Sequence, residues 1–174
     1  MNLSVNQRAR ALATFRYVEV RLMEIVASWT PTTPEMEVKV VFGKHIWDFA
    51  QHADWIGKRT FELRQPEHYT LAPAEGYGSL LAQLGSVSTT TERLGMLYDF
   101  FLPALVRRYA GYLGRTDALL DGPTVVIVER IVREHERQIA EGAQLKRVAG
   151  IDGSFDAALA SREPSLEMVV EVAQ

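Results

Sequence analysis

Cysteine is missing from all 174 residues, which excludes a disulfide framework, thiol catalysis and any cysteine-ligated zinc or iron–sulfur site. Concentrated positive charge is missing too. Net charge is −3, and Arg107-Arg108 and Lys146-Arg147 are isolated basic pairs at helical spacing, so nucleic acid is not an expected partner. No apolar run approaches the roughly 20 residues needed to span a bilayer. Residues 1–10 are polar and lack the apolar core of a signal segment. A cytoplasmic protein away from membranes is the expectation. Known catalytic signatures are absent as well. Gly76-Tyr77-Gly78 opens no phosphate-binding strand-to-helix turn, no serine-hydrolase elbow occurs, and Glu134-His135-Glu136 lacks the second histidine of a zinc-protease helix. Nor does strand alternation persist anywhere, so the expected fold class is all-α.

What is present is ordinary globular material, 47% hydrophobic and 24% charged, in a chain long enough for one domain but short for two. Within it, residues 34–64 read as one long amphipathic helix carrying four polar residues at helical spacing: His45, Asp48, His52 and Arg59. At about 100° per residue, the step from His45 to His52 turns the helix by only about −20°. Both imidazoles therefore share one side, with Asp48 between them. An adjacent stripe of Phe42, Ile46, Phe49, Ala53 and Ile56 is apolar and must face a core. Two histidines and a carboxylate beside a buried stripe make this face the best handle on function.

Three further helices are expected. The first spans Val5–Trp29 and ends at Thr30-Pro31-Thr32-Thr33-Pro34, where two prolines stop it and Thr33 can cap its successor. Residues 65–90 are irregular, with a short helix near 80–84. The third covers 91–113, with Pro103 kinking it or splitting it after Phe101. The fourth opens on the cap Asp121-Gly122-Pro123 and runs to 147. Residues 1–150 form the bundle; the tail, 151–174, is a short helix, an arm against a partner subunit, or unstructured. Short first and third links with a long second link define two antiparallel helix hairpins joined by a crossover, the connectivity of a ferritin-like four-helix bundle.

Each helix sets a polar residue on its apolar stripe. In the first, Glu19 falls among Leu12, Phe15, Leu22, Val26 and Trp29. In the third, Asp99 shares a stripe with Leu102, Val106, Tyr109 and Leu113. In the fourth, His135 and Gln138 lie with Val128, Ile131 and Leu145. A carboxylate so placed is costly to bury unless it is paired or binds a cation.

On Glu19, the run from Gly43 to Asp54 and the Asp121-Gly122-Pro123-Thr124 opening, the chain resembles the ferritin-like superfamily over roughly residues 5–147. Di-iron members of that fold take one Glu from each of two helices and a Glu-x-x-His from the other two. The resemblance assigns Glu19 to the first-helix carboxylate, His52 to the second-helix histidine and Asp99 to the third-helix carboxylate. Phe49 occupies a glutamate position, while His135 and Gln138 replace the Glu-x-x-His of the fourth helix. The standard two-iron pattern is thus broken. What it implies instead is one reduced site with Glu19, His52 and His135 as ligands for iron, zinc or manganese, and Asp48 or His45 orienting a ligand from behind. Oxidation of a small organic substrate with dioxygen would follow, or metal-free acid–base chemistry by His52 or His135. The same residues also have a structural reading, in a non-catalytic bundle that binds a ligand or partner. There Glu19 pairs with His52 or Arg59 in a network that fixes register, His135 and Gln138 bond to Asp48 or Asp99, and His45 sits at the surface. A homodimer is expected through exposed aromatics such as Trp47 or Tyr77, or through the tail.

Overall fold

The computed structural model describes residues 3–64 and 69–151, so His68 and all but the first residue of the expected tail lie outside it. Every regular element among these residues is helical. In order they are α1 (Val5–Trp29), a 3₁₀ turn (Thr30–Thr32), α2 (Met36–Glu62), α3 (Glu75–Ser86), α4 (Thr90–Leu94), a π-helical stretch (Gly95–Phe101), α5 (Leu102–Leu113) and α6 (Gly122–Val148). None is long and apolar enough to cross a membrane.

Local chemistry accounts for the boundaries. Ser4 caps α1 in a reciprocal box with Gln7, and Thr89 does the same for α4 with Glu92. The two expected caps at Thr33 and Asp121 fail, because tertiary partners take those side chains. The Thr33 hydroxyl donates to the Trp29 carbonyl and accepts from Arg93, so α2 begins only at Met36, with Glu35 at its N-cap position and no side-chain cap. Asp121 does occupy the N-cap of α6, but its carboxylate accepts from Tyr112, Thr116, Thr124 and Arg59 instead of from the helix. The short helix expected near 80–84 is longer, twelve residues from Glu75 to Ser86.

The third expected helix is one continuous rod of three stretches. Pro103 has no N–H to give the carbonyl four residues back, and the rod meets it with a π turn in which Leu102 N–H reaches the Leu97 carbonyl. Helical geometry resumes at Leu102, directly after Phe101. The wider π turn advances by a smaller angle per residue, so a stripe counted at 3.6 residues per turn is out of phase upstream of Leu102. The buried face of α5 is Leu102, Leu105, Tyr109 and Tyr112, whereas Asp99 is turned outward and pairs with Lys146. Asp99 is therefore not an interior carboxylate.

Side-chain pairs give the direction of each helix. Trp29 meets Phe42 and Glu19 meets His52, so α1 and α2 are antiparallel. His45 faces Glu141, Asp48 faces Arg137 and Gln138, and His52 faces Glu134, an antiparallel register held along α2 and α6. Tyr109 packs on His135 and Asp99 pairs with Lys146, so the rod opposes α6; Phe15 against Tyr112 and Arg93 against Trp29 make it oppose α1 as well. Leu12, Phe15, Leu22, Val26, Phe42, Phe49, Ile56, Leu97, Phe101, Leu105, Val128 and Ile131 fill the shared core. Each such side chain contributes about 1.5–3 kcal/mol by burial. The same dry surround makes every interior charge expensive.

Candidate metal centre

Three helices deliver three ionisable groups to one point in that core. Glu19 of α1, His52 of α2 and His135 of α6 are all fully buried, and one potential ligand atom from each lies within 4.8 Å of the others. Each sits on its helix's apolar stripe, so helix packing itself drives them together. His52 Nδ1 is 3.1 Å from Glu19 Oε2, and His135 Nε2 is 2.9 Å from Glu19 Oε1. The two rings are nearly perpendicular, with centroids 4.9 Å apart. This buried Glu/His/His group has the spacing to hold a metal ion.

The groups behind it fix the imidazoles. His52 Nε2 is 2.9 Å from Glu134 Oε2, and His135 Nδ1 is 2.8 Å from Gln138 Oε1. The Gln138 amide is oriented in turn, because its Nε2 donates to Asp48 Oδ2 at 3.1 Å, where Arg137 also donates. Oxygen acceptors on the outer nitrogens place the ring hydrogens there. The inner nitrogens are then aimed at the Glu19 oxygens, and only a proton or a cation between them reconciles lone pair with carboxylate. Tyr109 closes the set, its hydroxyl donating to Glu19 Oε1 at 2.6 Å.

Electrostatics follow this geometry. Burial alone would raise the Glu19 carboxyl, but the charges and hydrogen bonds of His135 and His52 drive it well below the carboxylate range. Burial opposes charge on His52 too, yet the Glu19 carboxylate and the bond to Glu134 outweigh it, and the imidazole is pushed up to about 9. Glu134 is held down at about 2, chiefly by the hydrogen bond from His52 and also by Arg130. Burial and the neighbouring Glu19 keep the Tyr109 phenol protonated and hence a donor.

The other residues singled out in the sequence divide. Asp48 and Gln138 stand behind His135, Gln138 in contact with it and Asp48 one step further out. His45 is not at the surface: it is fully buried, with Nδ1 2.8 Å from the Tyr98 hydroxyl and Nε2 2.9 Å from Glu141 Oε2. Burial lowers its pKa first, so the neutral ring accepts from Tyr98 and donates to Glu141. It forms a separate node two turns from His52. Arg59 does not reach Glu19; it donates to Thr124, Glu62 and Asp121 near the start of α6. Phe49, fully buried, sets its ring 6.4 Å from His52 and 6.0 Å from His135, an apolar wall where the two-iron pattern needs a carboxylate.

Two participants escaped sequence reasoning. Tyr109 reads as one more aromatic on a stripe, and Glu134 as a surface acid. A signal existed for the second: Glu134, Gln138 and Glu141 repeat on α6 the three-and-four spacing of His45, Asp48 and His52 on α2, complementary in an antiparallel pair. No protein-family model, curated protein or solved structure matches this chain.

Proposed function

We propose that this chain is a bundle of ferritin-like connectivity that holds one divalent transition-metal ion on Glu19, His52 and His135. With iron(II), we infer oxidation of a small organic molecule by dioxygen. The observation that carries the reading is the orientation of the two imidazoles. Both are anchored on their outer nitrogens by oxygen acceptors, the arrangement that metal-binding histidines adopt almost invariably. The helix directions support the connectivity: α1 and α2 form one antiparallel pair, the rod from Thr90 to Leu113 and α6 another, with α3 in the long link between.

Held by Glu19, His52 and His135, iron(II) would supply the activation of dioxygen for that oxidation. The rest is the work of this chain. Tyr109 holds one Glu19 oxygen, Glu134 and Gln138 hold the ring hydrogens outward, and Phe49 sets an apolar ring beside both imidazoles, where it offers no ligand to a second ion. Protein purified without chelator should carry about one equivalent of metal, lost in His52→Ala and His135→Ala. Loading with iron(II) under air should then consume dioxygen faster in the native protein than in either variant given the same iron, the free ion's own oxidation being the common background.

A second reading is favoured by the closure of the network itself. With Tyr109, His135 and His52 all bonded to it, Glu19 is already satisfied, as a purely structural register lock requires. Folded protein that takes up neither iron, zinc nor manganese would establish that reading and overturn the first.

A further inference from the structure

The outer face of α2 carries an apolar stripe that no other element among the described residues covers. Met36, Val40 and Trp47 are 65%, 67% and 66% exposed, and with Gly43 they follow a 4-3-4 spacing. That is the alternation of a helix–helix seam, not of a solvated helix face. Gly43 is the second observation. It lies near the middle of the exposed stripe, where glycine is among the poorest helix formers, and a Cβ built on it meets nothing within 4 Å. Nothing among the described residues requires a glycine there. A closely approaching second backbone would.

From these features we infer that α2 packs antiparallel against α2 of a second copy of this chain, with Gly43 of each protomer as the hole for Val40 of the other. The same twofold register sets Met36 of one copy against Trp47 of the other, so all of the exposed stripe is covered. Charge agrees with it. On one flank of the seam lie Glu37 and Lys44, both exposed; Lys44 pairs with Glu141 inside the protomer, and the register brings Glu37 of the other copy to its exposed side, twice by symmetry. On the opposite flank the apolar stem of Lys39 runs alongside Ile46 of the second copy, with no like charges opposed. An acidic peptide or a lipid surface would leave the glycine and the exposed acid Glu37 on that flank unexplained.

Gly43→Leu and Trp47→Asp separate this interface from folding. Both sites face open space among the described residues, so Trp47→Asp should keep the thermal midpoint of the isolated fold and Gly43→Leu should raise it. Sedimentation equilibrium on the full chain should show a dimer for the native protein, weakened about tenfold or more in either variant. Because the chain has no cysteine, mixed Val40→Cys and Gly43→Cys proteins have only the engineered thiols, and mild oxidation should link the two variants to each other. A Lys58→Cys control should stay unlinked. A native monomer at every attainable concentration, or a dimer that Gly43→Leu leaves intact, overturns the assignment, as does a monomer whose α2 face instead binds anionic vesicles.

Discussion

Glu19 is the residue on which the interior turns, because both its oxygens are engaged in a place where an unpaired charge would be prohibitive. Its effect on stability should be read through His52. The unfolded imidazole titrates near 6.5 and the folded one at about 9. Below 6.5 both states are protonated and the contribution is whole. Between 6.5 and about 9 the unfolded chain sheds a proton that the folded chain keeps, so stability falls as pH rises, by roughly 3 kcal/mol over the window. Urea midpoints of metal-free protein across that range should show the decline, and His52→Ala should flatten it. A flat native profile would mean that His52 is not held between Glu19 and Glu134 as an imidazolium. Tyr109→Phe tests the third contact. It should cost about 1.5–3 kcal/mol, the value of a hydrogen bond to a charged acceptor, while leaving metal stoichiometry unchanged. Glu19, His52 and His135 were legible in the sequence because a polar residue on an apolar helical stripe must find a partner. Tyr109 was not, since a tyrosine on such a stripe satisfies the pattern without its hydroxyl.

Elements were legible where periodicity is uninterrupted and less so where tertiary contacts override local chemistry. The α1 bounds follow from its stripe and the prolines after it, and the structure adds the Ser4 cap. The placement of Asp99 does not, because one π turn changes the angular phase and sends the side chain to Lys146. That turn also supplies Tyr98, whose ring fits only against a glycine: a Cβ on Gly142 would lie 2.2 Å from it. Replacing Gly142 by alanine should therefore run against helix propensity. In an open helix the change stabilises by about 1 kcal/mol, whereas here overpacking should cost 1–3 kcal/mol or about that order. The displaced ring would also lose His45. Thermal melts of Gly142→Ala and Gly142→Ser decide the sign, and a stabilised alanine variant would show that α6 and the rod are not packed as closely as Tyr98 requires. The His45 node escaped the sequence for the same reason, because its partners are brought to it by the register of α2 on α6 and by a glycine whose purpose lies on another helix.

At the scale of the molecule, the Glu19 group joins helices that are far apart in sequence, and Asp121 does the same elsewhere by gathering Arg59 of α2, Tyr112 of α5 and Thr124 of α6. The two hubs differ in what can replace their hydrogens. Asp121 is met by three hydroxyls and the guanidiniums of Arg59 and Arg8, partners that no cation displaces without loss. Glu19 is met by two imidazole nitrogens, which exchange a proton for a metal ion. A ligand that binds only the folded chain stabilises it by mass action, about 2.7 kcal/mol at a hundred times its dissociation constant. For a protein of this size that shifts the thermal midpoint by roughly 5–10 °C. Zinc, manganese or iron(II) in excess should thus raise the midpoint of the native protein, and should raise that of Asp121→Asn by the same increment from a lower start. In His135→Ala the increment should vanish, because two remaining ligands do not hold an ion against water. The whole-molecule shift separates a metal centre from a hydrogen-bonded lock without reference to any reaction. Were the midpoint equally insensitive to all three metals, the protons between Glu19 and its imidazoles would be the native occupants of the site.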